Sequence, residues 1–290
     1  MSLRLEDGVV RDPTTQALLD HVRFTLSPAR LEAARASFAL ARPFQHVVLD
    51  DLFPSWALES VDAEFKDHSP HDCRVLGRSR GWHCTMQQHK NDTRIAGWLK
   101  LGTQWEINMG NVSRSLMHAF KSNEFRSHVE SITRIPQLLG DAANNGAGLH
   151  QIFRDGSLQV HADNNHMYSD AERIVNLFLY LNDKWKSEWR GELELWDRNL
   201  SSCETRISPM RNRLVLFRSS DFSFHGHPAP LNCPHNRSRR SLAVYYYTRT
   251  KRPANEVNHT ARRQGHGTLY RSPQCTSCEE QACSAGRIDV

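Results

Sequence analysis

Three short segments constrain what this chain is able to fold into. His161-Ala162-Asp163 continues an alternation that begins at Gln159-Val160, and Phe224-His225-Gly226 follows the apolar run Leu214-Val215-Leu216-Phe217. The third, Arg239-Arg240-Ser241-Leu242-Ala243-Val244-Tyr245-Tyr246-Tyr247, reads as a long strand. Residues i and i+2 of a strand share a face, so His161 and Asp163 point one way while Ala162 points back. For His225 to close on the same spot, strands far apart in the chain must become neighbours in a curled sheet.

Two imidazoles and one carboxylate are the donor set of a ferrous centre that keeps adjacent coordination positions open. A keto acid fills two such positions and O2 a third, so the protein supplies three ligands only. An H-x-D tripeptide alone is weak in a chain with 16 histidines, where its plain reading is a satisfied histidine at a strand end. The downstream His-Gly and the Arg-x-Ser on a following strand make the set specific.

Residues from about Glu124 to Thr250 resemble the bacterial branch of the prolyl 4-hydroxylase-type 2-oxoglutarate/Fe(II) oxygenases. The matching stretches are Gly148-Leu149-His150-Gln151-Ile152, His161-Ala162-Asp163-Asn164, Leu179-Tyr180-Leu181-Asn182-Asp183-Lys184-Trp185, Gly191-Glu192-Leu193-Glu194-Leu195-Trp196, Asp221-Phe222-Ser223-Phe224-His225-Gly226 and Arg239 to Thr248. The resemblance implies an α+β fold with a mainly β core, a double-stranded β-helix or jelly roll, and N-terminal helices packed on its outside. It places Fe(II) on His161, Asp163 and His225. It also places the distal carboxylate of the co-substrate 2-oxoglutarate on a basic residue of the strand after the second histidine.

Relatives of collagen type use lysine at that basic position, and this chain offers Arg239 or Arg240. Strand alternation groups Arg239 with Ser241, Ala243 and Tyr245, so Arg239 is the expected clamp; its planar fork suits a bidentate grip on a carboxylate. Ser241 is the expected helper. Tyr180 matches the tyrosine whose hydroxyl reaches the same carboxylate in relatives. Halogenating relatives carry glycine or alanine where this chain has Asp163. The resemblance thus implies hydroxylation of an unactivated C–H, consuming O2 and releasing succinate and CO2, although the same site can also desaturate or close rings; L-ascorbate is the reductant that such enzymes use.

The expected organisation is an N-terminal helical and lead-in-strand region over 1–140, a dioxygenase jelly-roll core over 141–252, and a cysteine-containing tail over 253–290. Before residue 140 the chain reads mainly as helices and connectors. Ser27-Pro28 caps and opens a helix that stops before Pro43. Phe44 to Phe53 forms a lead-in strand, and Pro54-Ser55 starts a helix striped by Leu58, Val61 and Phe65. Phe125, Val129 and Ile132 stripe a later helix expected on the outside of the barrel. The polar stretch 68–95, with His68, His71, His83 and His89, reads as either a lid or a solvated loop. His166 and Tyr168 are candidates for facing substrate. His227 is expected beside the ligands or the substrate rather than as a fourth ligand.

With 290 residues and 39% hydrophobic content, the chain is long enough to bury a core. Its net charge of +5 suits an anionic substrate or glycan. The basic residues are too scattered for a nucleic-acid stripe. No apolar run approaches the roughly 18 to 20 residues that span a bilayer, and the N-terminus lacks a signal-peptide core. The expectation is a cytoplasmic protein without nucleic-acid or membrane partners, acting on a small molecule, amino acid, peptide or glycan.

Seven cysteines, an odd number, argue against a disulfide framework in that compartment. Cys73, Cys84, Cys203 and Cys233 read as ordinary thiols. Cys275, Cys278 and Cys283 form either a flexible tail of free thiols or, with His259 or His266, a zinc site. A reading from another class is a non-catalytic, metal-containing jelly-roll binding module. Arg239 speaks against it, because a structural metal needs no anion clamp.

Overall fold

The computed structural model describes residues 12–65, 71, 82–85, 97–103, 106–141, 144, 146–163, 165, 170–263 and 268–270. The core is a curled antiparallel sheet of jelly-roll type. Its hydrogen-bonded order runs β1 (His46–Asp50), β9 (Arg213–Arg218), β6 (Glu172–Tyr180), β11 (Ser238–Thr248), β5 (Gly148–Ala162), β10 (His225–His227), β7 (Leu193–Trp196) and β8 (Cys203–Ile207). β5 produces the curl. Its first half pairs with β11 and its second half with β10, so one strand joins the two faces of the barrel.

Alternation sorts the side chains between the two sides of the sheet. On β9, Leu214 and Leu216 face outward, whereas Val215 and Phe217 face the interior; on β6, Leu177 and Leu179 face outward and Phe178 and Tyr180 inward. The outward set packs with Phe120, Phe125, Val129 and Ile132 of the helices Asn111–Lys121 and Asn123–Thr133. Helices Pro13–Thr25, Pro28–Leu40 and Ser55–Glu64 complete this outer layer, and the expected stripe Leu58, Val61 and Phe65 is buried in it.

Local chemistry sets the helix boundaries. Asp12 Oδ1 accepts from Thr15 N at 2.8 Å and Ser27 Oγ from Arg30 N at 3.3 Å, each beside a proline in the first turn. Glu64 caps another helix altogether, accepting from Val112 N at 2.7 Å and Ser113 N at 2.8 Å, which places a carboxylate on orphan N–H groups at a positive helix end. Arg213, fully buried, locks β1 to β9 by donating from Nε and Nη2 to the two carboxylate oxygens of Asp50, both at 2.8 Å.

The N-terminal region holds more strand than its sequence suggests. β2 (Trp82–Thr85) pairs with β3 (Gly97–Thr103), and β3 in turn pairs with β5, extending the core sheet. β4 (Leu139–Gly140) pairs with β11, and β12 (Leu269–Tyr270) with the end of β5. Cys203 is disulfide-bonded, which corrects its reading as an ordinary thiol; Cys233 is free and buried. Among the described residues no helix is long and apolar enough to cross a membrane. Of the 68–95 stretch only His71 and the backbone of β2 fall within the described residues. His166, Tyr168, Cys275, Cys278 and Cys283 fall outside them.

Candidate metal and co-substrate site

His161 and His225 are direct partners across β5 and β10, so they leave the sheet on one face with ring centroids 4.5 Å apart. Gly226 permits that pairing: a Cβ there would lie 2.9 Å from the carbonyl oxygens of both Leu158 and Gln159. His161 Nδ1 lies 2.7 Å from Gln159 O, and His225 Nδ1 lies 2.9 Å from Ser223 O. Carbonyls only accept, so these contacts put the ring protons on Nδ1 and leave the Nε2 lone pairs facing inward.

What those lone pairs face is Asp163. Nε2 of His161 is 3.6 Å from Oδ1, and Nε2 of His225 is 3.7 Å from Oδ2. The three donor atoms lie within 4.8 Å of one another. Three electron-rich groups so arranged repel one another unless a cation stands between them. Ligands about 2.0–2.2 Å from a shared ion and at right angles are ~3 Å apart, so modest tightening would seat a metal. Phe217 closes one side, its ring centroid 4.7 Å from that of His225.

Two further residues hold the carboxylate. Asn176 Nδ2 donates to Asp163 Oδ2 at 2.6 Å, and Arg173 Nη1 stands 3.4 Å from the same oxygen, its guanidinium stacked 3.7 Å over the Tyr245 ring. Burial alone would raise the Asp163 pKa, yet Arg173, His225 and His161 hold it well below the usual carboxylate range. His225 is pushed down to about 4 by burial and by His161, against the pull of Asp163, so its ring is neutral at pH 7 and free to act as a ligand. Arg173 was not singled out from the sequence. A register shift between Tyr246 and Tyr247 breaks the alternation opposite it and turns its side chain inward.

The expected clamp lies on the same interior face. Arg239 is buried, with Nε donating to Gly191 O at 2.7 Å and Nη2 to Tyr180 Oη at 3.2 Å. Ser241 is the cross-strand partner of Tyr180 and is buried beside it. Arg240 points the other way, to Asp62 on the helix layer at 3.1 Å. The structure therefore brings Arg239, Tyr180 and Ser241 together and separates Arg240 from them.

Two more groups face this interior. Lys100 on β3 is coupled electrostatically to Arg239 and Asp163; burial, with Arg239 adding, pushes its pKa down to about 8. His227 is buried and lies near Arg239, Lys100 and His161, and burial with those charges holds its imidazole well below the ordinary range. Lys100 escapes the sequence reading because Leu99 takes a φ of 50° and the register slips between Trp98 and Lys100, which hides any alternation.

Residues 147–247 match the family model described as the 2OG-Fe(II) oxygenase superfamily. The matched residues span the β core from β5 to β11, which carries His161, Asp163, His225 and Arg239. Among curated proteins none matches. Solved structures with a similar fold include a prolyl 4-hydroxylase from Phytophthora capsici (17% identity, 91% of this chain and 75% of that one, TM-score 0.48). A Pseudomonas putida prolyl-4-hydroxylase is similar at 14% identity over 74% of this chain and 97% of that one, with a TM-score of 0.46. The 2-oxoglutarate-dependent epimerase SnoN from nogalamycin biosynthesis stands at 13% identity, 76% and 84% coverage, and a TM-score of 0.47.

Proposed function

We propose that the protein is a 2-oxoglutarate-dependent dioxygenase that hydroxylates an unactivated C–H of a small molecule, amino acid, peptide or glycan. His161, Asp163 and His225 hold Fe(II), and Arg239, Tyr180 and Ser241 hold the distal carboxylate of 2-oxoglutarate. The observation that carries this reading is the convergence of two inward Nε2 lone pairs and one carboxylate within 4.8 Å, on the interior face that also bears Arg239.

Bound iron and keto acid supply the oxidation itself, with L-ascorbate as the external reductant that keeps the metal ferrous. The chain's own residues orient and insulate. Asn176 and Arg173 fix the Asp163 carboxylate, and the Gln159 and Ser223 carbonyls hold the two imidazoles in the tautomer that presents Nε2. Arg239 neutralises the far end of the keto acid, and Gly191 and Tyr180 stop the guanidinium from swinging away. Phe217 and Phe178 keep water from the interior behind the ligands.

The test is incubation of a metabolite and peptide extract with protein, Fe(II), 2-oxoglutarate and ascorbate, followed by mass spectrometry. A product heavier by one oxygen atom should form with wild type, with succinate released in step, and vanish with His161→Ala. Release of no succinate under any pool would favour a binding module instead.

A further inference from the structure

Lys100 and Arg239 stand on opposite sides of one residue. Each is the antiparallel partner of Ile152, Lys100 from β3 and Arg239 from β11. Direct partners in a ladder project to the same face, so the two cations flank Ile152 on the face that carries Ser241 and Tyr180. Lys100 is half-buried there, and among the described residues no carboxylate lies within 4 Å of its ammonium. Its electrostatic partners are Arg239 and Asp163, the two ends of the span that a metal-bound keto acid would bridge.

His227 faces the same span. Only 3% exposed, it has no hydrogen-bond partner for either ring nitrogen among the described residues. An imidazole buried without partners is costly unless a ligand supplies them. Arg239 has already committed Nε to Gly191 and Nη2 to Tyr180, so part of its fork is spent on the protein. Two cations on one face repel each other, as Arg239 shows by adding to the lowering that burial imposes on Lys100, and a single anion placed between them relieves both.

We propose that Lys100 is the second cation of the co-substrate clamp: Lys100 and Arg239 share the distal carboxylate of 2-oxoglutarate, and His227 hydrogen-bonds the same group. This rests on the reading of the site as a 2-oxoglutarate site. Lys100 acts in positioning and in selectivity, since a keto acid without the distal carboxylate leaves both cations unpaired.

Calorimetric titration of keto acids into Mn(II)-loaded protein tests this without turnover. The ligands are 2-oxoglutarate and 2-oxopentanoate, which has the same chain length and no distal carboxylate. Lys100→Met should weaken 2-oxoglutarate about tenfold or more and leave 2-oxopentanoate and Mn(II) affinity unchanged. Lys100→Gln, which keeps a polar head, should show the same loss, and Lys100→Arg should restore part of it. Wild-type affinity for 2-oxoglutarate in both Lys100→Met and Lys100→Gln overturns the proposal. If Arg239→Met also binds 2-oxoglutarate normally, or wild type fails to prefer it over 2-oxopentanoate, the co-substrate reading itself falls. Loss in Arg239→Met alone removes only Lys100 from the clamp.

Discussion

The carbonyl of Gly191 accepts a hydrogen bond from Arg239 Nε at 2.7 Å, and the missing side chain of Gly191 is what lets the two meet. A Cβ at 191 would lie 3.2 Å from Arg239 Cδ and 2.5 Å from Leu231 Cδ2, on a backbone whose φ is +85°. The glycine of the Gly191-Glu192-Leu193 stretch thus sets the position of a guanidinium far along the chain.

Gly191→Ala should therefore act on the co-substrate through Arg239. Strain and crowding predict a loss of about 1–3 kcal/mol in urea unfolding. The half-saturating 2-oxoglutarate concentration should rise, with Mn(II) affinity unchanged. A stability loss with no change in keto-acid affinity would mean that Arg239 does not depend on the loop.

Arg239 and Arg240 are sequence neighbours with opposite fates, and their alanine variants should separate cleanly. Arg239→Ala should raise the 2-oxoglutarate requirement by roughly 30-fold or more, as expected when a buried charge-assisted contact is lost, while metal still binds. Arg240→Ala removes a half-exposed pair with Asp62 and should cost no more than about 1 kcal/mol of stability, with keto-acid binding unaltered. The reverse pattern in titrations of the two variants would invert the assignment of strand faces.

Among the described residues the side-chain hydrogen bond of Asn176 goes to the Asp163 carboxylate, so its removal should loosen the metal without deleting a ligand. Asn176→Ala should weaken Mn(II) or Co(II) binding by about 10–100-fold, against loss of measurable binding in His161→Ala or Asp163→Ala. Equal metal affinity in Asn176→Ala and wild type would show that the hydrogen bond is idle.

Lys100 should leave a signature in the pH dependence of folding. Its pKa lies near 8 in the folded protein against an ordinary value of 10.5. Below the folded value both states hold the proton and the fold bears the full cost of an enclosed charge. Between the two values the unfolded chain binds more protons than the folded one, so stability rises with pH across that window. In the metal-free protein, Lys100→Met should abolish this rise, and any stability advantage it has at pH 7 should shrink from pH 8 towards 10.5. Parallel stability curves for the two proteins from pH 7 to 10.5 would place Lys100 in solvent.

Strict alternation made the centre of this site legible in the sequence. Arg239 rather than Arg240 faces inward, and His161 with Asp163 flanks an outward Ala162, because those segments keep an unbroken period of two. Residues beside irregularities stayed hidden. Arg173 lies at a register shift, Lys100 follows a residue with positive φ, and β3 runs through a stretch that begins and nearly ends in glycine, with the look of a connector. The helical stripes of Leu58, Val61 and Phe65, and of Phe125, Val129 and Ile132, were legible for the same reason as the inward strand faces. The contact of Gly191 with Arg239 was not, since nothing local announces which distant strand a loop will meet.

β5 carries Ile152, flanked by the two cations, and further along carries His161. It therefore works as a gauge fixed at both ends, with the two cations at one mark and the histidine at the other. Ile152 and His161 lie an odd number of positions apart, so strict alternation would set them on opposite faces; the register shifts of β5 against β3 and β10 are what return the histidine to the side of the two cations, and the irregularity is as much a part of the site as the side chains.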